Sequence, residues 1–482
     1  MLNLTLVLSC LGFGFLAEPA DNASRRPNIV IMYVDDMGWG DLPSQGATGW
    51  TMPNLERMER EGTRYTKFYV AQPVCSASRA ALLTGCYPNR LGIHGALAPS
   101  AKHGIHEDET TLAEICKSQG YATGMYGKWH LGHHKQFLPV HHGFDEYLGI
   151  PYSNDMWPGH PVTPKNWPKL PLIRGDETIE IVEDYDDQDV LTRRLTEGAV
   201  DFIHRHADEP FFLYVPHPQP HVPLGADPKF KGSSEQGFYG DVMQEIDWSM
   251  GQILEALDEE GLADDTLVIF ASDNGPWINY GDHAGTTSHL REAKGTTFDG
   301  GVRVPCIARL PGRIQANHVN DTMWMNIDVL PTVAGLVGAD LPDRPIDGRD
   351  AQPLLVSAPD ATSPQEVYLF YYGNNNLEAI RWGRWKLHLP HTYRSMEGRP
   401  GGTGGKPTRY TYGIKQDLAL YDVEIDPGET TDVSHSHPEV MARMLELVES
   451  ARSDLGDNLV KRKGSGVREP GRVLDQDAPS GS

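Results

Sequence analysis

Four oxygen-bearing side chains at two points of the chain could together hold a metal ion. They are Asp35, Asp36, Asp273 and Asn274. Each pair follows directly after an apolar run of strand length, residues 29–34 in one case and 267–271 in the other. Carboxylate and amide oxygens are hard ligands, which favour Ca²⁺ or Mg²⁺ over zinc. Asp-Asp and Asp-Asn-Gly also form turns readily, but two such pairs at strand ends favour a metal site.

Cys75 is a further residue that could be chemically reactive. It precedes Arg79 by about one helical turn in residues 75–84. A helix N-terminus and a nearby arginine could lower the pKa of the thiol and make Cys75 a thiolate nucleophile. The alternatives are a buried core thiol and, for Arg79, a surface side chain that closes a helical turn.

Basic side chains at three further points could bind or protonate an anion. Lys128 and His130 are two residues apart after an apolar run, so in an extended segment they project to the same side. His217 and His221 follow another such run, and Lys294 lies in a glycine-rich stretch, residues 292–305. Each of these taken alone is also typical of an ordinary exposed loop or turn.

The elements that must position these residues have a regular order. Four continuous apolar runs, residues 29–34, 121–126, 211–215 and 267–271, are typical of strands buried on both faces of a parallel sheet. Helical patterns lie among them, at 112–119, 190–206 and 241–260, and Gly261 ends the last one. The alternation predicts an α/β fold with helices on both faces of a mostly parallel sheet. Ligands bind beyond the carboxyl ends of such strands, where all the polar clusters would meet.

The rest of the chain predicts three further regions. We expect a catalytic domain over residues 26–355, followed by a polar, proline-containing boundary. Short strands and one helix over residues 366–458 predict a smaller antiparallel α+β domain. Residues 459–482 are rich in polar residues and predict a disordered tail.

Charge and composition narrow the classes of function. The formal net charge is −24, which argues against nucleic-acid binding and means that an anionic substrate needs locally concentrated positive charge. Residues 1–20 predict a signal peptide and hence a secreted or periplasmic protein without a transmembrane anchor; a lipid anchor at Cys10 is the less favoured alternative. Only Cys86, Cys116 and Cys306 remain for disulfides, so we expect core thiols.

Residues 74–85 resemble the signature of the sulfatase family, with Ala77 where the family usually has proline. In that family the cysteine is oxidised by a formylglycine-generating or equivalent maturation enzyme. The resemblance therefore implies that Cys75 becomes formylglycine, whose hydrate is the nucleophile. The hydrated aldehyde carries a second hydroxyl, which can expel sulfate by reforming the carbonyl. A serine has only one hydroxyl and could not do this. Arg79 would stabilise the oxyanion.

Further stretches resemble the same family and imply roles for single residues. Residues 120–130 look like its second signature, with Tyr126 where a smaller residue is usual; Lys128 would bind sulfate and His130 would take a proton from the second hydroxyl. Lys294 would contact sulfate and the leaving oxygen. The family histidine is followed by any residue and then proline, which fits His221 as the proton donor to the alcohol and leaves His217 as a nearby alternative.

Residues 143–155 and 379–387 are similar to the subgroup of arylsulfatase A and N-acetylgalactosamine-6-sulfatase. The resemblance implies an alkaline-phosphatase-like core, a sulfate hydrogen bond from Ser153, and one Ca²⁺ held by the four oxygen ligands named above together with residue 75. It predicts a hydrolase that removes sulfate from a sulfated carbohydrate or an aryl sulfate. The alternatives are a phosphodiester or phosphonate ester hydrolase of the same superfamily, or a sulfated-glycan binder if Cys75 is not oxidised.

Overall fold

Residues 26–473 are described by a computed structural model. The predicted signal peptide, residues 1–20, and Cys10 lie outside the described residues.

The strands of the described chain are, in order, β1 Asn28–Val34, β2 Thr63–Tyr69, β3 His103–Gly104, β4 Ala122–Lys128, β5 Glu146–Ile150, β6 Leu170–Arg174, β7 Glu177–Val182, β8 Phe211–Val215, β9 Thr266–Ser272, β10 Arg303–Arg309, β11 His318–Asn320, β12 Trp324–Met325, β13 Val367–Tyr372, β14 Asn376–Trp382, β15 Trp385–His388, β16 His391–Ser395, β17 Thr411–Gln416, β18 Ala419–Asp422 and β19 Gly471–Arg472.

The α-helices are α1 Pro53–Glu61, α2 Cys75–Thr84, α3 Leu112–Ser118, α4 Tyr185–Asp189, α5 Leu191–Arg205, α6 Phe238–Glu259, α7 Asp299–Val302, α8 Val329–Val337, α9 Gln352–Leu355 and α10 Pro438–Leu455.

One large sheet organises the molecule. Its strands lie in the order β11-β2-β10-β9-β1-β8-β4-β5-β6-β7, with β12 also paired to β2. The central strands β9, β1, β8, β4 and β5 are parallel to one another, whereas β10 pairs with β9, β6 with β5 and β7 with β6 in antiparallel fashion. The predicted mostly parallel α/β sheet is therefore confirmed, with β1 at its centre.

The central strands read as continuous apolar runs because both of their faces are buried. In β1, Ile29, Ile31 and Tyr33 join the apolar cluster on one face, while Val30 and Met32 join the cluster on the other. Successive side chains of a strand point to opposite faces, so a strand covered on both sides has no position for a polar residue.

Helices α5 and α6 cover one face of the sheet. The predicted apolar stripe of α6 is buried from Met243 through Ile246, Met250 and Ile253 to Leu257. This spacing of three or four residues keeps one side of a helix against the sheet.

The smaller antiparallel sheet, in the order β13-β14-β15-β18, is present where the sequence predicted strands. Phe370 and Leu387 belong to the same apolar cluster as Tyr69 of the large sheet, and the rings of Tyr69 and Phe370 are 5.7 Å apart. The two sheets therefore share one core.

The prediction of a disordered tail from residue 459 is wrong for residues 459–473. Strand β19 pairs with β3, and Arg468 forms an ion pair with the buried Glu109 at 2.9 Å. The sequence predicted disorder because this segment has few apolar residues. It is held in place by ion pairs and backbone hydrogen bonds, which composition does not indicate.

Cys75, Cys86, Cys116 and Cys306 are buried free thiols, so the described residues contain no disulfide. None of the helices in the described chain combines the length and the apolar content needed to cross a bilayer.

Candidate active site

The oxygen ligands meet at one edge of the large sheet because β1 and β9 are parallel neighbours. Val34 is in register with Ser272, so the residues that follow each strand emerge side by side. The backbone N–H of Asp36 donates to Asp273 Oδ1 at 3.2 Å, and Asn274 Nδ2 donates to Asp36 Oδ1 at 2.6 Å. The structure thus brings together the two pairs that the sequence predicted to meet.

These side chains could hold a metal ion. Asp35, Asp36, Cys75 and His221 each offer a ligand atom within 4.8 Å of the others, and all four residues are buried. Asn274 Oδ1 is also buried and has no hydrogen-bond partner among the described residues. A buried acceptor without a partner is costly, and a cation held by the surrounding oxygens would satisfy it.

The ionisation of the buried carboxylates depends on the charges around them. Burial and the charge of Asp35 raise the pKa of Asp273 to about 7. Lys128 and Lys294 each form an ion pair with one carboxylate of the cluster, to Asp35 and Asp36 respectively. Metal ligation requires deprotonated carboxylates, and a divalent ion would lower the repulsion that now raises the pKa of Asp273.

Cys75 is the first residue of α2, and its side chain faces the carboxylates. Its Sγ lies 3.3 Å from Asp35 Oδ1 and 3.5 Å from Lys294 Nζ. Burial and the negative charge of Asp35 nevertheless raise the pKa of the thiol far above its usual range. Burial and the neighbouring carboxylate therefore favour the neutral thiol.

Arg79 lies one turn further along α2 and is fully buried. Its Nε and Nη2 donate to Asp273 Oδ2 at 3.0 and 2.8 Å, and its Nη1 donates to the Lys128 carbonyl at 3.0 Å. The sequence predicted that Arg79 stabilises an oxyanion. These contacts favour a different role, in which it positions the Asp273 carboxylate and the end of β4.

Lys128 is the last residue of β4 and points at the same cluster. It pairs with Asp35 and donates to Ser153 Oγ at 3.0 Å. The residue before it, Gly127, packs closely against Pro216. A Cβ at residue 127 would lie 2.1 Å from the Pro216 carbonyl oxygen, and the φ of +152° also favours glycine. Lys128 and Ser153 therefore lie in contact, and a shared anion site for them stays a prediction.

His130 does not follow the extended path that the sequence predicted. Its φ is +63°, so the chain turns after Lys128, yet the imidazole still lines the same cavity as Cys75. Burial and the charges of Lys128 and Arg79 hold its pKa well below the usual range, so the ring is neutral. Nε2 lies 3.0 Å from the Leu97 carbonyl and donates to it, which leaves the buried Nδ1 as an acceptor without a described partner. This arrangement can accept a proton.

Lys294 and His221 contact the cluster at Asp36, whereas Lys128 contacts it at Asp35. Lys294 Nζ lies 2.6 and 2.9 Å from the two oxygens of Asp36, and 4.5 Å from the centre of the Trp277 ring. His221 Nε2 lies 3.6 Å from Asp36 Oδ2. His217 instead contacts Ser249 at 2.8 Å and does not line the cavity. The geometry therefore favours His221 over His217 as the histidine of the site.

A cavity of about 170 Å³ opens above Cys75. The predicted residues among its lining are Cys75, His130, Ser153, His221 and Lys294. Among the lining residues that sequence reasoning missed, four are charged or aromatic: Asp155, Trp277, Tyr372 and Arg394. Asp155 stands two residues after Ser153 in a stretch already marked by family resemblance, so a signal existed. Arg394 comes from the C-terminal region and had no local signal.

Comparisons with known proteins identify the family to which the chain is similar. A profile described as "Sulfatase" matches residues 27–339, and one described as "C-terminal region of aryl-sulfatase" matches residues 363–469. The chain is 37% identical to arylsulfatase A of Bos taurus over 88% of this chain and 87% of that protein. It is also 37% identical to N-acetylgalactosamine-6-sulfatase of Mus musculus, over 94% and 90%. Among solved structures, the PsFucS1 sulfatase from Pseudoalteromonas sp. superimposes with a TM-score of 0.79 at 28% identity, over 89% and 91% of the two chains.

Proposed function

The chain belongs to the sulfatase family, and from that premise we propose that it removes sulfate from a sulfated carbohydrate, or from an aryl sulfate, by nucleophilic attack from residue 75. The observation that carries the proposal is the shared cavity in which Cys75, Ser153, His221 and Lys294 meet beside the buried carboxylates. The carbohydrate substrate is favoured by the similarity to N-acetylgalactosamine-6-sulfatase over 94% of the chain.

The nucleophile that we propose is formylglycine, made from Cys75 by a maturation enzyme. A hydrated formylglycine supplies two hydroxyl groups on one carbon, one for attack on sulfur and one for the later release of sulfate. Cys75 stands at the start of α2, so a group attached there lies at the positive end of the helix, which favours developing negative charge.

The metal that we propose is Ca²⁺, held by Asp35, Asp36, Asp273 and Asn274 beside residue 75. Bound there, it supplies positive charge next to the sulfuryl oxygens. Three carboxylates and the three cations Arg79, Lys128 and Lys294 balance in formal charge. A divalent ion would therefore leave the site positive enough to attract a sulfate ester into a chain whose net charge is −24.

The remaining roles fall to side chains that line the cavity and to Lys128, which contacts one of them. Lys128 and Ser153 already share a hydrogen bond, and both can donate to sulfate oxygens. His130 is neutral and can take a proton from the group at residue 75 through its free Nδ1. Lys294 is held protonated, because its pairing with Asp36 raises its pKa well above the usual range despite burial.

Proton delivery to the leaving alcohol falls to His221 or Lys294. Burial and the charge of Lys294 lower the pKa of His221, so in the resting site His221 is neutral and Lys294 carries the proton. A bound sulfate adds negative charge beside His221, which raises its pKa and lets it act as the acid.

Parallel assays test the proposal. We expect the matured protein, supplied with Ca²⁺, to cleave 4-nitrophenyl sulfate and N-acetylgalactosamine 6-sulfate with far higher kcat/KM than bis(4-nitrophenyl) phosphate. A clear preference for the phosphodiester would contradict the substrate class. Binding of sulfated sugars without turnover, by protein with formylglycine at residue 75, would contradict the enzymatic role.

A further inference from the structure

One cation of the cavity is not explained by sulfate ester cleavage. Arg394 lies on β16, in the ribbon β16–β17 of the C-terminal region. The pairing of this ribbon shifts register between Tyr393 and Ser395, which places Arg394 at a β-bulge. Bulges re-aim a side chain out of the regular alternation of a strand. Here the bulged residue lines the cavity above Cys75.

Arg394 differs from the other cations of the site in its charge balance. Lys128, Lys294 and Arg79 each form an ion pair with one of the buried carboxylates. No carboxylate of residues 26–473 lies within 4.0 Å of the Arg394 guanidinium, and its buried Nε has no hydrogen-bond partner there. A half-buried cation without a counter-charge in an acidic protein is costly unless a ligand supplies that charge.

The side chain is nonetheless held firmly in place. Nη2 donates to the Lys294 carbonyl oxygen at 2.6 Å, and the guanidinium lies 4.5 Å from the centre of the Tyr410 ring. Gly295 leaves the room for it, since a Cβ at that position would lie 2.4 Å from Arg394 Nη2. Arg394 is therefore pre-organised beside Lys294, with donor capacity remaining.

We propose that Arg394 determines specificity by binding a second anionic group of the substrate, a carboxylate or a second sulfate, next to the sulfate that is cleaved. A guanidinium suits the planar or trigonal oxygens of both groups. Asp155, which also lines the cavity, disfavours an anion at its own position, so the pair fixes the orientation of the sugar. This inference rests on the proposed function and narrows its substrate class to multiply charged glycans.

The test compares three matched substrates in wild type and in Arg394→Gln. They are a neutral sugar monosulfate, the same sulfate on a sugar linked to a uronic acid, and the corresponding disulfate. We expect wild type to prefer one or both of the doubly charged substrates. In Arg394→Gln, KM for the preferred substrate should rise about 10- to 100-fold with kcat little changed, as expected for loss of a charged hydrogen bond that forms equally in ground and transition states. For the monosulfate, kcat/KM should change less than about threefold.

Two further variants serve as controls. Arg399→Gln removes the same charge from an exposed position that follows the same strand, where Arg399 donates to Met396 and Thr411 and does not line the cavity. It should leave all three substrates unaffected. Arg394→Lys keeps the charge without the planar fork and should recover part of the lost affinity for the doubly charged substrate.

The outcomes separate this inference from the proposed function. Selective loss on the uronic-acid substrate, on the disulfate or on both supports the inference and identifies the second anion. Equal loss on all three substrates, or no preference of wild type for a second charge, overturns it while sulfatase activity stands. Failure of wild type to cleave any of the three, with formylglycine present, contradicts the proposed function itself.

Discussion

Binding of Ca²⁺ should raise the thermal stability of the protein, and loss of one oxygen ligand should remove that increase. The ligand chosen is Asn274, because its Oδ1 is buried without a described partner and its loss leaves every charge in place. Removing Asp273 would be less informative. Arg79 donates two hydrogen bonds to that carboxylate, and a buried arginine without its partner destabilises the fold independently of any metal.

The size of the effect follows from mass action. Free Ca²⁺ at 100 times its Kd stabilises the folded state by about 2.7 kcal/mol. Unfolding entropy of roughly 2.1 cal/mol/K per residue over about 450 described residues converts this into a Tm increase of about 3 °C. If Asn274→Ala weakens Ca²⁺ binding about 100-fold, the same Ca²⁺ concentration stabilises the folded variant by only about 0.4 kcal/mol. Its Tm then rises by less than about 1 °C.

The assay is thermal unfolding in a chelator and in a Ca²⁺ series, with Mg²⁺ in parallel. Asn326→Ala is the matched control, because Asn326 is also a buried asparagine but donates to Tyr33 and Ser78 and to none of the carboxylates. It should lower the baseline Tm and keep the full Ca²⁺ increment. An unchanged wild-type Tm up to millimolar Ca²⁺, or an equal increment in Asn274→Ala, would refute the metal site.

Three other outcomes are expected. Cys75→Ala should abolish turnover while circular dichroism still reports a folded protein; near-normal activity of this variant would contradict the role of residue 75. Gly127→Ala should destabilise the protein by about 3 kcal/mol or more in denaturant unfolding, since its Cβ would meet the Pro216 carbonyl at 2.1 Å, and a neutral effect would contradict that contact. Burial raises the pKa of Glu245 from 4.5 to about 8, so the stability contributed by its bound proton is complete below pH 4.5 and is lost as pH rises to about 8. Glu245→Gln should therefore gain stability over wild type by at most about 1.4 kcal/mol per pH unit across that window, and parallel pH profiles of the two proteins would contradict the shift.

Much of the fold could be predicted because its signals are local. The strands β1, β8 and β9 are buried on both faces and therefore show as unbroken apolar runs. Their parallel order then places Asp35 beside Asp273 without further information. The stripe of α6 is equally local, because its spacing matches the turn of the helix.

The rest depends on contacts between distant segments. The left-handed φ of His130 arises where the chain turns after β4, and nothing in its immediate sequence encodes that turn. Arg394 reaches the cavity only because its ribbon docks against the Lys294 segment, some 100 residues earlier in the chain. Residues 459–473 are ordered for the same reason, through Arg468 and strand β19. Composition and periodicity carry no information on such docking.

The central claim is that residue 75 acts as formylglycine beside a bound cation. The most direct measurement combines peptide mass spectrometry of residue 75 with sulfate release by the same preparations, made with different levels of the maturation enzyme. We predict that kcat per molecule rises in proportion to the formylglycine fraction and falls to background in preparations that retain only the thiol. Full activity with an unmodified Cys75, or none with complete conversion and Ca²⁺ present, would contradict the account.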